Sequence, residues 1–417
     1  MDGAEYRRHS HGTALYHSLC GPIKIGRFIY RKSGVRNGPT IIPLEMSSQL
    51  IERATPALAY RAALGDAQCP GRQWEQQLRA SHRRPPSRST LERIAKKIGT
   101  VAKEKSPGIL AAVRNEEPLP SDAKALSIGL DRTTIPMEEK LRYADNVTPL
   151  RTRKKPYTRA VPAPVEVNYR MGYVGTVSVI GNNGDCLQTY RYGCSADTSP
   201  TDVLNEMTKD LLHLQRQHSG RKRRDLPMAI VQDGAPEMWT LVETAVAKAF
   251  PNTHFYKAID RYHLAERLAE SLKALKDPFL NRDIRMRDWA DDLENRNSAI
   301  DKIERFILEQ KERLNKLDSL SAARAEILRT HLTYIKNNKH LMRYATLKKM
   351  GLPTGSGATE GACKSLIMIR AKGCGQRWHS KGVNSVITLR AMYQNGRLDS
   401  FWNNFLKQQK CNIQQAA

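Results

Sequence analysis

Three carboxylates stand in settings that suit metal-assisted chemistry. Asp131 follows the apolar run Ala125-Leu-Ser-Ile-Gly-Leu130, and Asp233 follows Met228-Ala-Ile-Val-Gln232. Glu360 follows the Gly-rich turn Gly351-Leu-Pro-Thr-Gly-Ser-Gly-Ala-Thr359 and opens a helix carrying Cys363, Leu366, Ile367 and Arg370. An acid at the C-terminal end of a buried strand is placed to hold a cation over a sheet edge. Acids meeting there could hold two Mg²⁺ or Mn²⁺ ions about 3.5–4 Å apart, one activating water or a 3′-hydroxyl and the other steadying the leaving oxygen of a phosphodiester. Hard oxygen ligands suit these ions better than a sulfur-ligated zinc. The plainer reading of any one strand-end Asp is that it starts a turn. It is the repetition of the setting that favours chemistry.

Asp260-Arg-Tyr-His263 ends another apolar strand. The pair has half the ligands of a zinc site, but no second pair appears. A His beside a carboxylate can instead orient a phosphate or buttress a metal shell. The bland alternative is an N-cap Asp with a satisfied His one turn on. Further along, Arg370-Ala-Lys-Gly-Cys-Gly-Gln-Arg-Trp-His379 interleaves cations with Gly and one Trp. Arg370, Lys372, Arg377, Trp378, Lys381 and Arg390 are therefore candidate contacts to a nucleic-acid backbone with a stacked or unpaired base. Trp378 buried in the core, with the cations solvated, is the competing reading.

The elements that position these residues alternate in type. Ala14–Leu19 and Ile23–Arg31 read as strands, and helices are expected near 47–64, 72–81 and 90–98. The last of these opens with the capping box Ser89-Thr-Leu-Glu92. A helix-turn-helix is compatible with this segment, as is a plain helical packing unit. Residues 102–124, with three prolines, read as loop. A strand ending at Asp131 follows, then a basic excursion from Arg151 to Pro164. Next come a hairpin (Tyr173–Ile180 and Cys186–Tyr192 around Gly-Asn-Asn-Gly-Asp) and a helix over 201–218, with Asp197 and Ser199 as possible caps. Arg221-Lys-Arg-Arg224 reads as an exposed charge run. The strand before Asp233, a helix over 238–250 and a strand over 254–259 complete the series. An antiparallel hairpin followed by β–α units predicts a mixed sheet with helices on both faces, the order of an RNase H-like fold. Residues 264–350 are almost wholly helical. Ile300, Ile303, Ile307, Leu314 and Leu317 approach heptad spacing, and an all-helical insertion is expected there, with coiled-coil self-association as a lesser alternative. The implied division is an α+β DNA-binding region over 1–120, an RNase H-like core over 121–265, a helical insertion over 266–350, the rest of the core over 351–395, and a tail over 396–417.

Composition narrows the partners. The chain has 417 residues, a net charge of +26 and 40% hydrophobic residues. That is too apolar for a disordered basic tail, and it points to a folded protein meeting a polyanion. Residues 1–100 carry 17 Lys and Arg against 7 acids, and residues 361–417 carry nine against the single acid Asp399. A ribosomal or membrane-surface role is the bland alternative. No apolar stretch is long enough to span a bilayer, and the first residues lack the apolar core of a signal peptide. Seven scattered cysteines, none spaced CxxC, fit a reduced, cytoplasmic protein without a structural zinc site, and a DNA partner would make it nucleoid-associated.

Six stretches carry a family resemblance: YHSLCGPIKI, SIGLDRTTIPMEE, IVQDGAPEMW, IDRYHLAERL, GLPTGSGATEGACKSL, and KGCGQRWHSKGVNSVITLRAMYQNGRLDSFW. In this order, over nearly the whole chain, they resemble ISKra-type insertion-sequence transposases, within the DDE transposases that have an RNase H-like core. The resemblance implies that Asp131, Asp233 and Glu360 form the DDE triad and ligate Mg²⁺ or Mn²⁺, with Asp260 and His263 as the accompanying DxxH motif. It implies an enzyme of DNA transposition and recombination encoded by a mobile element. Such an enzyme cleaves insertion-sequence ends and joins their 3′-hydroxyls to target DNA. The expected partners are double-stranded DNA (terminal inverted repeats and target) and further copies of the chain assembled on it. Family members carry more sequence ahead of YHSL, so a truncated DNA-binding region is expected. A relative that binds ends without cleaving them, and an RNase H-like nuclease without strand transfer, are the alternatives.

Overall fold

The computed structural model describes residues 4–140, 165–182, 184–195, 198–222, 225–277, 279–316 and 319–408. A small antiparallel sheet comes first: β1 (Tyr6–Ser18), β2 (Gly21–Lys32) and β3 (Thr40–Ile41). Four helices follow, α1 (Pro43–Ser47), α2 (Pro56–Gln68), α3 (Gly71–Ala80) and α4 (Arg88–Glu116). The single helix expected over 47–64 is broken, because Gln49, Glu52 and Arg53 adopt positive φ between α1 and α2. The segment expected as loop after residue 102 is helical as far as Glu116, through Pro107. Ile109, Leu110 and Val113 are buried in the same cluster as Leu91, Ile94 and Ile98, and that burial outweighs the proline's helix-breaking tendency. The helix also starts one residue before the expected capping box. Ser87 is its N-cap residue and makes no side-chain cap bond.

The main sheet contains β4 (Ala125–Lys140), β5 (Val165–Ile180), β6 (Cys186–Cys194), β7 (Met228–Gln232) and β8 (Phe255–Ile259), with α5 (Pro200–Lys222) before β7 and α6 (Pro236–Ala249) before β8. Its spatial order is β6-β5-β4-β7-β8. The β4–β5 and β5–β6 pairs are antiparallel, and β4–β7 and β7–β8 are parallel. The protein is thus an α/β protein with a mixed five-stranded sheet. β4 does not stop at Asp131. It runs on to Lys140, paired with β5 throughout, while β7 covers only Leu126–Ile128. Pro136 lies beyond the stretch that β7 covers. Among the described residues, a single bridge from Trp378 meets that side of β4 there, and it uses the Pro136 carbonyl and needs no N–H from it. The basic excursion Arg151–Pro164 and the cap candidate Asp197 lie outside the described residues, as do the side chains of Arg221–Arg224 and Leu317.

Alternation sorts the sheet's two faces. Leu126, Ile128, Leu130, Val177 and Val179 pack on α5 and α6 through Met207, Leu211, Met238 and Val242. Ala125, Ala229, Val231 and Ala258 face α7 (Arg261–Leu275) through Leu264 and Leu268. The same cluster continues into α8 (Arg282–Asn295), α9 (Ala299–Asn315), α10 (Ser319–Asn338) and α11 (Tyr344–Lys349). The expected helical insertion is present. Ile300, Ile303, Ile307 and Leu314 are buried within this cluster, so the near-heptad stripe is used inside the chain rather than for self-association.

The C-terminal part begins with α12 (Gly357–Ala362), a π-helical turn (Cys363–Met368) and α13 (Ile369–Ala371), followed by α14 (Ser380–Gln394) and α15 (Leu398–Gln408). Residues 396–408 are not a tail, because Leu398, Phe401, Trp402 and Phe405 are buried. They share one core with Leu58, Ala62, Ile94, Ile98 and Val113 of α2 and α4. The N-terminal helices are therefore not a separate unit. A buried ion network adds to this join. Arg397 pairs with Asp210 (2.8 Å) and Glu117 (2.7 Å), and Arg114 pairs with Asp210 and Glu206. Burial alone would raise the Asp210 carboxyl, but Arg397 and Arg114 outweigh it and hold it below the usual carboxylate range.

Candidate active site at the sheet edge

The parallel register brings the acids together. β4 pairs with β7 as Leu126↔Met228 to Ile128↔Ile230, and β7 pairs with β8 as Met228↔Phe255 to Gln232↔Ile259. Extended along the strands, these offsets (228 − 126 = 102 and 255 − 228 = 27) put Asp131, Asp233 and Asp260 on one level. The Asp260 N–H donates to the Gln232 carbonyl at 2.8 Å, which fixes the last of the three. This is the crevice outside the carboxyl ends of parallel strands, where α/β proteins commonly bind ligands.

Glu360 arrives from the other side. α12 lies on β4 because Gly129 has no side chain, and a methyl group there would overlap the Thr359 hydroxyl and crowd the Val231 carbonyl at 3.0 Å. Thr359 is buried and shares a hydrogen bond of 2.7 Å with Thr176 of β5. With Thr359 anchored, the next residue faces the strand ends. Asp131, Asp233, His263 and Glu360 line one cavity of about 30 Å³, together with Ser356 and Thr359. That is room for a water-sized guest.

Each acid has its own partners. Asp131 Oδ1 accepts from the Arg132 N–H (2.7 Å), and Oδ2 accepts from the Cys363 thiol (3.2 Å). Burial, followed by the nearby Asp131 charge, pushes the Cys363 thiol up, so it remains a donor. Asp233 Oδ1 accepts from the Ala235 N–H (3.0 Å), so Asp233 is a turn-starter as well as a cavity residue. Glu360 Oε1 lies 3.4 Å from His263 Nε2 and 3.3 Å from Ser356 Oγ. The His263 and Glu360 side chains are 38% and 33% exposed, so both are open to a ligand.

Asp260 differs from the rest. It is 1% exposed, and both of its oxygens are engaged. Oδ1 accepts from the Tyr262 N–H (2.6 Å), capping α7, and Oδ2 accepts from the Ser356 N–H (2.7 Å) and hydroxyl. Ligand atoms of Asp260, His263 and Glu360 all lie within 4.8 Å of one another, a spacing that could hold a metal ion. Asp260 already accepts three bonds on its roughly four lone-pair sites. Asp131 and Asp233 lie outside this close cluster, but with Glu360 and His263 they face the cavity and form the fuller candidate set. Its donors are mostly carboxylate oxygens with a single imidazole, a set that fits Mg²⁺ or Mn²⁺ better than zinc.

The six candidate nucleic-acid residues divide. Arg377 and Lys381 are exposed, and Lys372 donates to the Thr133 hydroxyl at 2.7 Å. Arg370 and Arg390 are corrections, at 5% and 7% exposed. Arg370 bonds the side chain (2.8 Å) and carbonyl (3.1 Å) of Asp66, while Arg390 bonds the carbonyls of Ser365 (2.6 Å) and Gln68 (3.3 Å). Both guanidinium groups tie α2 to the C-terminal helices and do not reach a phosphate. Trp378 is half-buried. Its indole N–H donates to the Ala371 carbonyl (3.0 Å), and Arg370 lies 5.0 Å from its ring centroid. Its backbone bridges β4, accepting from the Glu138 N–H (2.8 Å) and donating to the Pro136 carbonyl (3.1 Å). Trp378 is thus held by the fold at its indole and its backbone, yet it is half-buried rather than enclosed in the core, and Arg370 and Arg390 are not solvated.

Sequence reasoning missed Ser356, Thr359, Gly129 and Cys363. The small-residue run Gly355-Ser-Gly-Ala-Thr359 was the available signal, since close packing of a helix onto a strand needs small side chains there. The fold and site define an α/β protein with a carboxylate-rich crevice at the ends of its parallel strands. No family model, curated protein or solved structure matches the chain.

Proposed function

We propose that the protein is a DDE-type DNA transposase with an RNase H-like core, cleaving the ends of an insertion sequence and joining their 3′-hydroxyls to target DNA. The observation that carries the reading is the meeting of Asp131, Asp233 and Glu360, from three separate elements, around one small cavity. The strand order, three antiparallel strands extended by two parallel ones, supports the RNase H-like reading, and the net charge of +26 suits a polyanionic substrate. Asp131, Asp233 and Glu360 would hold Mg²⁺ or Mn²⁺, with His263 beside them. When bound, such ions supply Lewis-acid activation of water or a 3′-hydroxyl and stabilise the leaving oxygen. The chain's own part is positional. Asp260 and Ser356 set the start of the Glu360 helix, and the Cys363 thiol orients the Asp131 carboxylate. His263 and Glu360 are the open, polar groups that face a scissile phosphate.

The test incubates the protein with labelled duplexes from the DNA flanking its coding sequence, with Mg²⁺ or Mn²⁺. The expected products are nicked ends and strand-transfer joints. Cleavage without joints would favour the nuclease reading, and tight binding without cleavage would favour an end-binding relative. Absence of both binding and cleavage would overturn the proposal.

A further inference from the structure

The small N-terminal sheet has no part in the crevice. β1 and β2 form a two-stranded ribbon, paired from Tyr6↔Lys32 to Ser18↔Gly21 with an irregularity between Arg8 and Ser10. β3 covers β2 only at Tyr30 and Arg31. The turn end is anchored: the His17 N–H donates to the Arg53 carbonyl, and the Thr55 N–H donates to the His17 carbonyl, both at 2.9 Å. Tyr16 is 2% exposed and donates to Glu45 at 2.8 Å.

Between Tyr6 and Lys32 the sequence holds Arg7, Arg8, Lys24, Arg27, Arg31 and Lys32, and no Asp or Glu. Arg27 is turned inward onto Glu45. The pairs Arg8↔Tyr30, His11↔Phe28 and Leu15↔Lys24 put six side chains on one face. Arg8, His11, Leu15, Lys24 and Phe28 are exposed. The Arg8 guanidinium lies 3.9 Å from the Phe28 ring centroid, and the His11 ring lies 5.0 Å from it. The result is a firmly rooted ribbon that presents cations around an exposed aromatic.

We propose that this ribbon docks in the major groove of duplex DNA, with Arg8 and Lys24 on phosphates and Phe28 and Leu15 toward the base edges. The proposal rests on the reading of DNA as substrate. The major groove admits a two-stranded β-ribbon, and an apolar side chain there can meet the thymine methyl. A second copy of the chain is the less favoured occupant, because two such ribbons side by side would bring like charges together with no acid between them.

The test uses the full chain and a labelled duplex from the flanking DNA, followed by fluorescence anisotropy over a salt series. Arg8→Ala with Lys24→Ala is expected to weaken binding by about tenfold or more and to lower the log–log salt slope by roughly 2, for two lost phosphate contacts. Melting should be unchanged. Lys24→Ala alone keeps the test open if the double variant folds poorly. Wild type should bind thymine-containing duplex better than its uracil counterpart, and Phe28→Ala should erase that preference. Wild-type affinity and slope in the double variant would overturn the proposal, as would a change in oligomeric mass with affinity retained, or wild type with no thymine preference. If wild type binds no duplex at all, the transposase reading falls with it. If wild type binds but the ribbon variants match it, the ribbon alone is excluded.

Discussion

Asp131 and Asp233 are 102 residues apart in the sequence and level with each other in space, because 102 is also the register offset between β4 and β7. Glu360 is brought to them by the Thr359–Gly129 contact. Asp131→Asn, Asp233→Asn and Glu360→Gln should each abolish DNA cleavage, since neutral amides hold a divalent ion poorly, while DNA affinity stays near that of wild type. A cleavage assay beside an anisotropy titration checks both halves. More than a few per cent of cleavage left in any of the three would remove that residue from the site.

Asp260 and His263 should separate cleanly. Asp260 is buried and bonded to two elements, whereas His263 is open to the cavity. Asp260→Ala should cost about 1–3 kcal/mol of stability, as a lost cap together with unpaired Ser356 donors, and Ser356→Ala should cost less. His263→Ala should leave melting unchanged and reduce cleavage. Thermal melts and cleavage rates on the three variants test this. A normal melt for Asp260→Ala would contradict its role as a tie between α7 and α12.

Trp378→Ala should act through the fold. The indole bonds the Ala371 carbonyl and packs beside Arg370, so truncation should cost about 3 kcal/mol. Residual cleavage should follow the folded fraction measured by denaturant unfolding. A variant with wild-type stability that still fails to cleave would restore the base-stacking role.

Asp210 gives the pH prediction. Its carboxyl is held below the usual range in the fold. Its contribution is therefore fully present above the unfolded value of about 3.9 and is lost as pH falls through the lower folded value. Asp210→Asn leaves Arg397 and Arg114 short of a buried partner and should cost about 3–5 kcal/mol at pH 7. The melting gap between wild type and variant should stay constant down to about pH 4 and narrow only below it. A gap that closes between pH 7 and 5 would assign the effect to other groups.

The acids were legible in the sequence as local patterns: for Asp233 a strand that stops at a carboxylate before a turn, for Asp131 the same apolar lead-in, and for Glu360 a helix opening after a glycine-rich turn. The hairpin and the β–α alternation were legible for the same reason. Three features were not. β4 continues past Asp131 because its pairing with β5 does not need the neighbouring β7, and Pro136 hid this. α4 continues through Pro107 because Ile109 and Val113 bury against residues near 400. Arg370 and Arg390 looked like solvated cations, and their partners in α2 lie more than 300 residues earlier in the chain. What failed was information carried by distant contacts rather than by spacing.

The core shared by α2, α4, α14 and α15 also sets an order of events during synthesis. Leu58, Ile94 and Val113 leave the ribosome early, but their partners Leu389, Phe401 and Phe405 follow about 300 residues later. At roughly 5–20 residues per second this is an interval of about 15–60 s, in which the first helices carry an uncovered apolar side. In that interval the chain's high net charge opposes association through this side. The closing turn of α15 completes the first-made part of the protein last, so a ribosome that stalls before it leaves the earliest helices without their cover.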